Sequence, residues 1–147
     1  MKFNRIDLET KYSNFENETI FDLMDMEINE IDKDTFKELK NVTSINLSNN
    51  LLVQIDEEIF NDLLNLECIR LYSNRLEKLP KNIFKGLKNL TKLSINDNDL
   101  TELDKDIFTD LTSLITLNFS DNKLKDLDID LESQSIKLIY HQINYEH

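Results

Sequence analysis

The apolar and polar positions of this chain recur with one long fixed period. Four phenylalanines and four asparagines mark that period, because the members of each set follow one another at intervals of 24 residues. The two sets are Phe36, Phe60, Phe84 and Phe108, and Asn50, Asn74, Asn98 and Asn122. A repeat of roughly 20–50 residues is typical of a solenoid or a propeller, in which each unit packs against its neighbours.

Aligned on this period, four blocks carry the same short apolar pattern, L-x-x-L-x-L-x-x-N-x-L. They begin at Val42, Leu66, Leu90 and Leu114 and read VTSINLSNNLL, LECIRLYSNRL, LTKLSINDNDL and LITLNFSDNKL. A degenerate copy precedes them, with Met26 at the asparagine position. Its apolar residues in register are Phe21, Leu23, Ile28, Ile31, Phe36 and Leu39.

Two apolar residues spaced by one predict a short β-strand in each block. Ile69 and Leu71 have strand periodicity, so both point inward while Cys68, Arg70 and Tyr72 point outward. One strand per repeat predicts a parallel sheet. The expected strands are Thr19–Leu23, Ser44–Leu47, Cys68–Leu71, Lys92–Ile95 and Thr116–Phe119.

The asparagine and phenylalanine columns have different predicted roles. The asparagine is expected to be buried where the chain leaves the strand, with its side-chain amide pairing backbone groups of neighbouring turns. The phenylalanines are expected to stack as an aromatic column on the opposite side of the solenoid. Beneath them lies a row of leucines: Leu39, Leu63, Leu87 and Leu111.

These columns resemble the leucine-rich repeat family over about residues 18–131. The repeat tail, best preserved as LEKLPKNIFKGL, is similar to the 24-residue typical subfamily of extracellular animal proteins such as Toll-type receptors. The resemblance implies an α/β-type solenoid. It would be a right-handed horseshoe segment with a short-stranded parallel sheet on the concave face, loops and 3-10 turns on the convex side, and few regular helices. It also implies a non-enzymatic module that binds a protein ligand on the concave face.

The periodic pattern breaks at both ends. We expect an N-terminal cap at 1–17, five repeats, and a C-terminal cap with an edge strand at 132–147. The repeats are expected at 18–41, 42–65, 66–89, 90–113 and 114–131. The residues expected to cover the first repeat are Phe3, Ile6, Leu8, Tyr12 and Phe15.

After Leu127 the phenylalanine column stops, and the apolar pair Ile136 and Leu138 arrives about five residues early. This predicts a shortened last turn and a final edge strand. Neither cap has the cysteines that flank such repeats in many extracellular relatives.

Composition removes most catalytic chemistry. Gly86 is the only glycine, which excludes a dinucleotide fingerprint, a P-loop and a G-x-S-x-G elbow, since each needs at least two. Cys68 cannot form an intrachain disulfide, and His141 and His147 have no third ligand at metal spacing. We therefore predict no enzyme, no cofactor and no metal site.

Aspartates also recur at one position of the repeat, except in the third repeat, where Pro80 occupies that position. Calcium binding and an acid/base pair are both disfavoured, because no glycine turn wraps a cation and no apolar pocket separates the carboxyl pKa values. A solvated acidic rim is favoured. Its residues are Asp32, Asp56, Asp104 and Asp128, beside Asp34, Glu58, Asp106 and Asp130.

The net charge is -12, yet residues 66–89 hold six cations against Glu67 and Glu77, a local charge of 6 - 2 = +4. This basic band is Arg70, Arg75, Lys78, Lys81, Lys85 and Lys88. It either attracts an acidic partner or another copy of the chain, or it neutralises the acidic residues of adjacent turns. We favour neutralisation, by Lys78 and Lys81, and the overall sign disfavours nucleic acid. No apolar run approaches the roughly 18 residues of a membrane span, so no membrane insertion is expected.

The outward strand positions form rows, and their centre is the candidate binding surface. Arg70, Tyr72 and Lys92 cluster there, and Tyr and Arg are common interface anchors. Neighbouring candidates are Asn46, Ser94, Asn96 and Asn118. One row is expected to be Met24, Ser48, Tyr72, Asn96 and Ser120, followed by Asp25, Asn49, Ser73, Asp97 and Asp121. The alternative is an ordinary solvated sheet face.

The sequence features that indicate a cellular compartment disagree with one another. Asn17, Asn41 and Asn89 are possible N-glycosylation sites in one column, and Asn46 and Asn118 begin similar triplets on the concave rows. These triplets and the resemblance favour a secreted glycoprotein of the innate-immune or receptor type. The unpaired Cys68, and the lack of a signal-like stretch in residues 1–15, favour an intracellular adaptor or scaffold instead.

Overall fold

Short strands that recur once per repeat build the main sheet of the protein. The computed structural model describes residues 1–131 and the backbone of the strand at 138–140. In chain order the elements are β1 (Lys2–Phe3), α1 (Arg5–Lys11), a 3-10 helix (Phe15–Asn17), β2 (Ile20–Asp22), β3 (Glu30–Ile31), β4 (Ser44–Asn46), β5 (Cys68–Arg70), β6 (Lys92–Ser94), β7 (Thr116–Asn118) and β8 (Leu138–Tyr140).

Six of these strands form one parallel sheet in the order β2-β4-β5-β6-β7-β8. From β2 to β7 the register advances by one repeat per strand, so that Phe21 aligns with Ile45 and Ile45 with Ile69. All five predicted strands are present, each with three residues. The predicted parallel leucine-rich solenoid is confirmed.

The inward face of the sheet and the convex half enclose one continuous apolar core. Ile69 and Leu71 are fully buried, as their alternation with outward residues requires. The four phenylalanines of the convex column are also buried, and Phe84 stacks on Phe108 with ring centroids 6.4 Å apart. Phe36 packs against Phe21 of the first strand at 5.9 Å.

Consecutive tight turns form the convex side. In the first repeat the Thr35 amide donates to the Asp32 carbonyl, and the Leu39 amide donates to the Phe36 carbonyl, both at 3.1 Å. The Asp32 carboxylate also accepts a hydrogen bond from the Asp34 amide at 2.9 Å. Asp56 and Asp104 accept equivalent bonds at 2.8 and 2.9 Å. The acidic column therefore caps turns, which is a structural reason for its recurrence.

The N-terminal segment covers the first repeat. Asn4 caps α1 by accepting from the Ile6 amide at 2.8 Å, and the Asn4 amide donates to the Asp7 carboxylate at 2.8 Å. Phe3 and Leu8 are fully buried, and β1 pairs in parallel with β3. The expectation for Ile6 was wrong, because this side chain is 71% exposed. It lies on the outer face of the short helix, whereas Leu8 faces the core.

An edge strand follows the last repeat, but its position differs from the expectation. β8 aligns Ile139 with Leu117, an offset of 139 - 117 = 22 residues, so the strand arrives two residues early and not five. The expected pair was chosen by side-chain type, whereas backbone pairing sets strand register. Ile136 lies outside the described residues.

Candidate functional site

Strand register assembles the concave face from rows of aligned residues. The β5–β6 pairing places Cys68 opposite Lys92 and Arg70 opposite Ser94. Arg70 and Lys92 are therefore diagonal neighbours on adjacent parallel strands, at a Cα separation of about 8 Å. Arg70 is half-buried and Lys92 is exposed, and Tyr72 lies half-buried just beyond β5. The sheet thus brings together the three central residues predicted from the sequence.

Arg70 and Lys92 differ from several other cations of the chain. Lys2, Lys33 and Lys123 each reach a carboxylate in a neighbouring turn at 2.9 Å, and the hydrogen bond to that carboxylate raises the pKa of each lysine. Within the described residues, neither Arg70 nor Lys92 has an ion pair or a side-chain hydrogen bond. Their donors remain open to a ligand.

The asparagines of the concave rows are partly engaged by their own turns. Asn46 Oδ1 accepts from the Ser48 amide at 3.1 Å, and Asn118 Oδ1 accepts from the Ser120 amide at 3.0 Å. The Ser120 hydroxyl adds a second bond to Asn118 at 2.8 Å. These side chains therefore shape the strand ends, leaving their amide nitrogens for any contact with a ligand.

Ser48 contradicts its expected outward exposure. The residue is fully buried, and its hydroxyl has no hydrogen-bond partner among the described residues. It occupies the outward row between Met24 and Tyr72, which are both half-buried. A short side chain between two long ones in a row is easily covered, which strand alternation alone does not reveal.

The row of residues that follows the strands, from Asp25 to Asp121, shares a left-handed backbone conformation that the sequence analysis did not predict. All five residues of this row have φ between 53° and 57°. Asn and Asp tolerate this left-handed conformation better than most residues, because their side chains bond locally. Ser73 is the member of this row that is neither Asn nor Asp. Its hydroxyl donates a hydrogen bond to the Asp97 carboxylate at 2.7 Å. The row is Asp25, Asn49, Ser73, Asp97 and Asp121.

The buried asparagine column holds neighbouring repeats together. Asn98 donates to the carbonyls of Leu71, Ile95 and Asn96 at 3.0, 3.2 and 3.2 Å. Its carbonyl oxygen accepts from the Leu76 amide at 3.0 Å. Each of these bonds satisfies a backbone group, and two of the partners belong to the preceding repeat. The other members of the column make corresponding bonds: Asn50, Asn74 and Asn122.

The basic band does not form one patch. Its residues are distributed around a full turn of the solenoid, since Arg70 lies in a strand and Lys85 in the convex tail. Lys78 approaches Glu102 at 3.6 Å. Lys81 was expected to neutralise a neighbouring turn, but it makes no ion pair within the described residues. Its exposed side chain lies beside Asp104 and Asp106 of the next turn, but beyond ion-pair distance.

The remaining candidates lie apart from the concave centre. Asn17, Asn41 and Asn89 are exposed at the turns before the strands. Cys68 is a free, half-exposed thiol. In the described part of the chain, no group of three or more His, Cys, Asp or Glu residues is placed to bind a metal ion. Nor does that part contain a helix with the length and apolar character of a membrane span.

Comparison with known proteins gives a family and several structural neighbours. A model described as the BspA type leucine rich repeat region matches residues 6–138 in 6 copies. No curated protein matches the chain significantly. The structure of the APL1 leucine-rich repeat domain has 27% identity and a TM-score of 0.84 over 98% of this chain and 36% of its own.

Two of the similar structures are complexes. The Toll–Spatzle complex, a hub in Drosophila development and innate immunity, matches with 31% identity and a TM-score of 0.80 over 91% of this chain and 18% of that one. The LRIM1/APL1C complex matches with 26% identity and a TM-score of 0.83 over 98% and 26%. The chain therefore spans about a third or less of these neighbours.

Proposed function

The chain belongs to the leucine-rich repeat family, and on that premise we propose that it is a protein–protein recognition module whose ligand binds the concave face of the six-stranded sheet. The observation that carries the proposal is the central pair Arg70 and Lys92, whose donors have no partner among the described residues. Tyr72 beside them is the type of side chain that anchors interfaces. Ser94, Asn96 and the free amides of Asn46 and Asn118 would surround this anchor.

The proposed setting is extracellular recognition of the innate-immune type. Its support is the similarity to a chain of the Toll–Spatzle complex and to a chain of the LRIM1/APL1C complex, in both of which proteins are bound to each other. Since the chain covers 18% and 26% of those proteins, the proposal concerns a recognition segment and not a whole receptor. The role is proposed to be non-enzymatic, because the Cys68 thiol on this face makes no hydrogen bond to a general base among the described residues.

The size of the face sets a limit on affinity. Six strands about 4.8 Å apart span some 24 Å, and the outward residues cover roughly 250–300 Å². A standard interface buries about 800 Å² per partner. The turns that follow the strands, including the acidic row from Asp25 to Asp121, would therefore contribute to a stable complex. Otherwise the module binds weakly and acts beside further repeats.

Affinity capture tests the proposal. The wild-type protein and an Arg70/Tyr72/Lys92 triple alanine variant would be used to capture partners from the native source. We expect the partner to bind wild type and to be lost by the triple variant, with Tyr72→Ala alone costing at least about 2 kcal/mol of binding free energy. Lys37→Ala, on the exposed convex side, should bind as wild type does. Equal affinities of wild type and the triple variant would refute a concave binding site.

An intracellular adaptor is the competing function, and the free half-exposed Cys68 is the observation that favours it. Mass spectrometry of the protein from its native source separates the two. Sugar on Asn17, Asn41 or Asn89 would establish passage through the secretory pathway. Their complete lack of modification would favour the adaptor. Sugar on Asn46 or Asn118 would cover the concave centre and move binding to a flank.

A further inference from the structure

The concave face has a positive centre within an acidic frame. On β4 to β7 the outward positions are otherwise uncharged, so Arg70 and Lys92 are the charged residues of this central area. Carboxylates stand around it. Asp22 lies on β2, and Asp25, Asp97 and Asp121 lie in the row beyond the strands. Asp22 is two strand spacings from Arg70, about 10 Å, and Asp97 lies three residues beyond Ser94, the residue aligned with Arg70, which is also about 10 Å.

Among the described residues, Arg70 and Lys92 are unpaired cations that lie together on the concave face, whereas the lysines that form ion pairs lie elsewhere on the solenoid. The chain has 29 acidic residues against 17 Lys and Arg, and lysines at the rims of the solenoid reach carboxylates in adjacent turns. The residues aligned with Arg70 and Lys92 are Asn46, Ser94, Cys68 and Thr116, and none of these is an anion. Two like charges on adjacent strands repel each other, and an anion between them would remove that repulsion.

We propose that the concave face accepts one isolated carboxylate, from an Asp or Glu side chain on a loop of a protein partner, between Arg70 and Lys92. This inference rests on the proposed function and specifies the chemistry of its ligand. The Arg70 guanidinium supplies a planar fork that matches a carboxylate, and Lys92 supplies a second charge. The Tyr72 ring, two residues after Arg70 and just beyond the end of β5, packs against the loop that carries the acid.

The acidic frame selects an isolated anion over a polyanion. A nucleic acid or a poly-acidic segment would place further negative charges near Asp22, Asp97 and Asp121, where they are repelled. The single acidic residue of such a loop is attracted to Arg70 and Lys92. Basic residues beside it are attracted to the carboxylates of the frame, and uncharged ones are not repelled there. Among protein ligands, the face therefore favours a lone acid flanked by Lys, Arg or uncharged residues.

Selection from a random peptide library displayed on phage tests this inference. The wild-type protein is the bait, and peptides that also bind the Arg70/Tyr72/Lys92 triple alanine variant are removed. The expected peptides share one Asp or Glu between non-acidic residues. Their synthetic forms should bind an Arg70→Gln/Lys92→Gln variant roughly tenfold more weakly, since exposed ion pairs contribute up to about fivefold each.

Matched variants make the result specific. Lys37→Gln/Lys85→Gln removes the same charge from exposed convex positions and should leave peptide binding unchanged. An Arg70→Glu/Lys92→Glu variant should lose the selected peptides but bind versions in which the acidic residue is replaced by Lys. A misfolded variant cannot produce that gain.

Three outcomes would overturn the inference. The first is selected peptides that lack an acidic residue or that bind Arg70→Gln/Lys92→Gln as tightly as wild type. If Tyr72→Ala still weakens those peptides, the concave binding site stands and only the carboxylate fails. The second is that no peptide is selected on wild type. The third is displacement of selected peptides by heparin more effectively than by a monovalent peptide at physiological salt.

Discussion

The Tyr12 hydroxyl bonds to both backbone groups of Asp22, accepting from its amide at 2.8 Å and donating to its carbonyl at 2.9 Å. Asp22 ends β2, the first strand of the main sheet, and β4 pairs with β2 on one side only. The Tyr12 ring meets Phe21 edge to face, with centroids 4.9 Å apart. One side chain thus satisfies part of the open edge of the sheet, where unpaired strand groups would otherwise invite association.

Tyr12→Phe should destabilise the fold by about 0.5–1.5 kcal/mol, because the exposed amide and carbonyl of Asp22 exchange their bonds to Tyr12 for bonds to water. Urea unfolding followed by circular dichroism measures the difference. Tyr72→Phe is the matched control. The Tyr72 hydroxyl has no hydrogen bond among the described residues, so its removal should change stability by less than about 0.5 kcal/mol. Equal effects of the two substitutions would contradict the proposed role of Tyr12.

Stability should fall at alkaline pH through the same residue. Burial raises the pKa of the Tyr12 hydroxyl above its ordinary value of 10.0. Its contribution is therefore fully present below about pH 10 and is lost as pH rises through the higher folded pKa, when the phenolate can no longer donate to Asp22. Unfolding free energies of wild type and Tyr12→Phe should converge as pH rises above about 10. A gap independent of pH would contradict this linkage.

Asn98→Ala should cost about 1–3 kcal/mol, because it leaves the buried Leu76 amide without a partner and removes one of the two hydrogen bonds to each of the Leu71 and Ile95 carbonyls. Asn96→Ala is the control, since Asn96 is half-buried on the concave side and lies outside the buried column. Thermal unfolding of both variants provides the comparison. Hydrogen exchange adds a local test, in which the Leu76 amide should lose protection in Asn98→Ala alone. Unchanged protection there would show that the column is dispensable.

Phe84→Ala should cost about 3–5 kcal/mol, because it opens a cavity in the middle of the solenoid. Phe84 is 1% exposed and stacks on Phe108. Loss of order should spread outward from this turn, since each repeat is stabilised by its neighbours. Leu64→Ala removes an apolar side chain that is 54% exposed and should have little effect. An unfolding midpoint of Phe84→Ala within a degree or two of wild type would rule out this packing role.

Periodicity made most of the fold predictable. Once the 24-residue interval is known, strand alternation alone assigns Ile69 inward and Arg70 outward, and the same assignment holds in each repeat. The central cluster followed for the same reason, because a parallel register of one repeat per strand aligns Cys68 with Lys92. These features depend on neighbouring residues and on one repeated translation, which are both visible in the sequence.

Contacts that occur only once depended on the tertiary structure. The bonds of Tyr12 to Asp22, the burial of Ser48 and the register of β8 have no periodic copy from which to infer them. Each is decided by how side chains of different length meet across turns, or by how a cap reaches the sheet. The local pattern therefore determined the repeat and its strands, whereas packing between unlike elements decided the ends of the solenoid and which outward positions remain open to a partner.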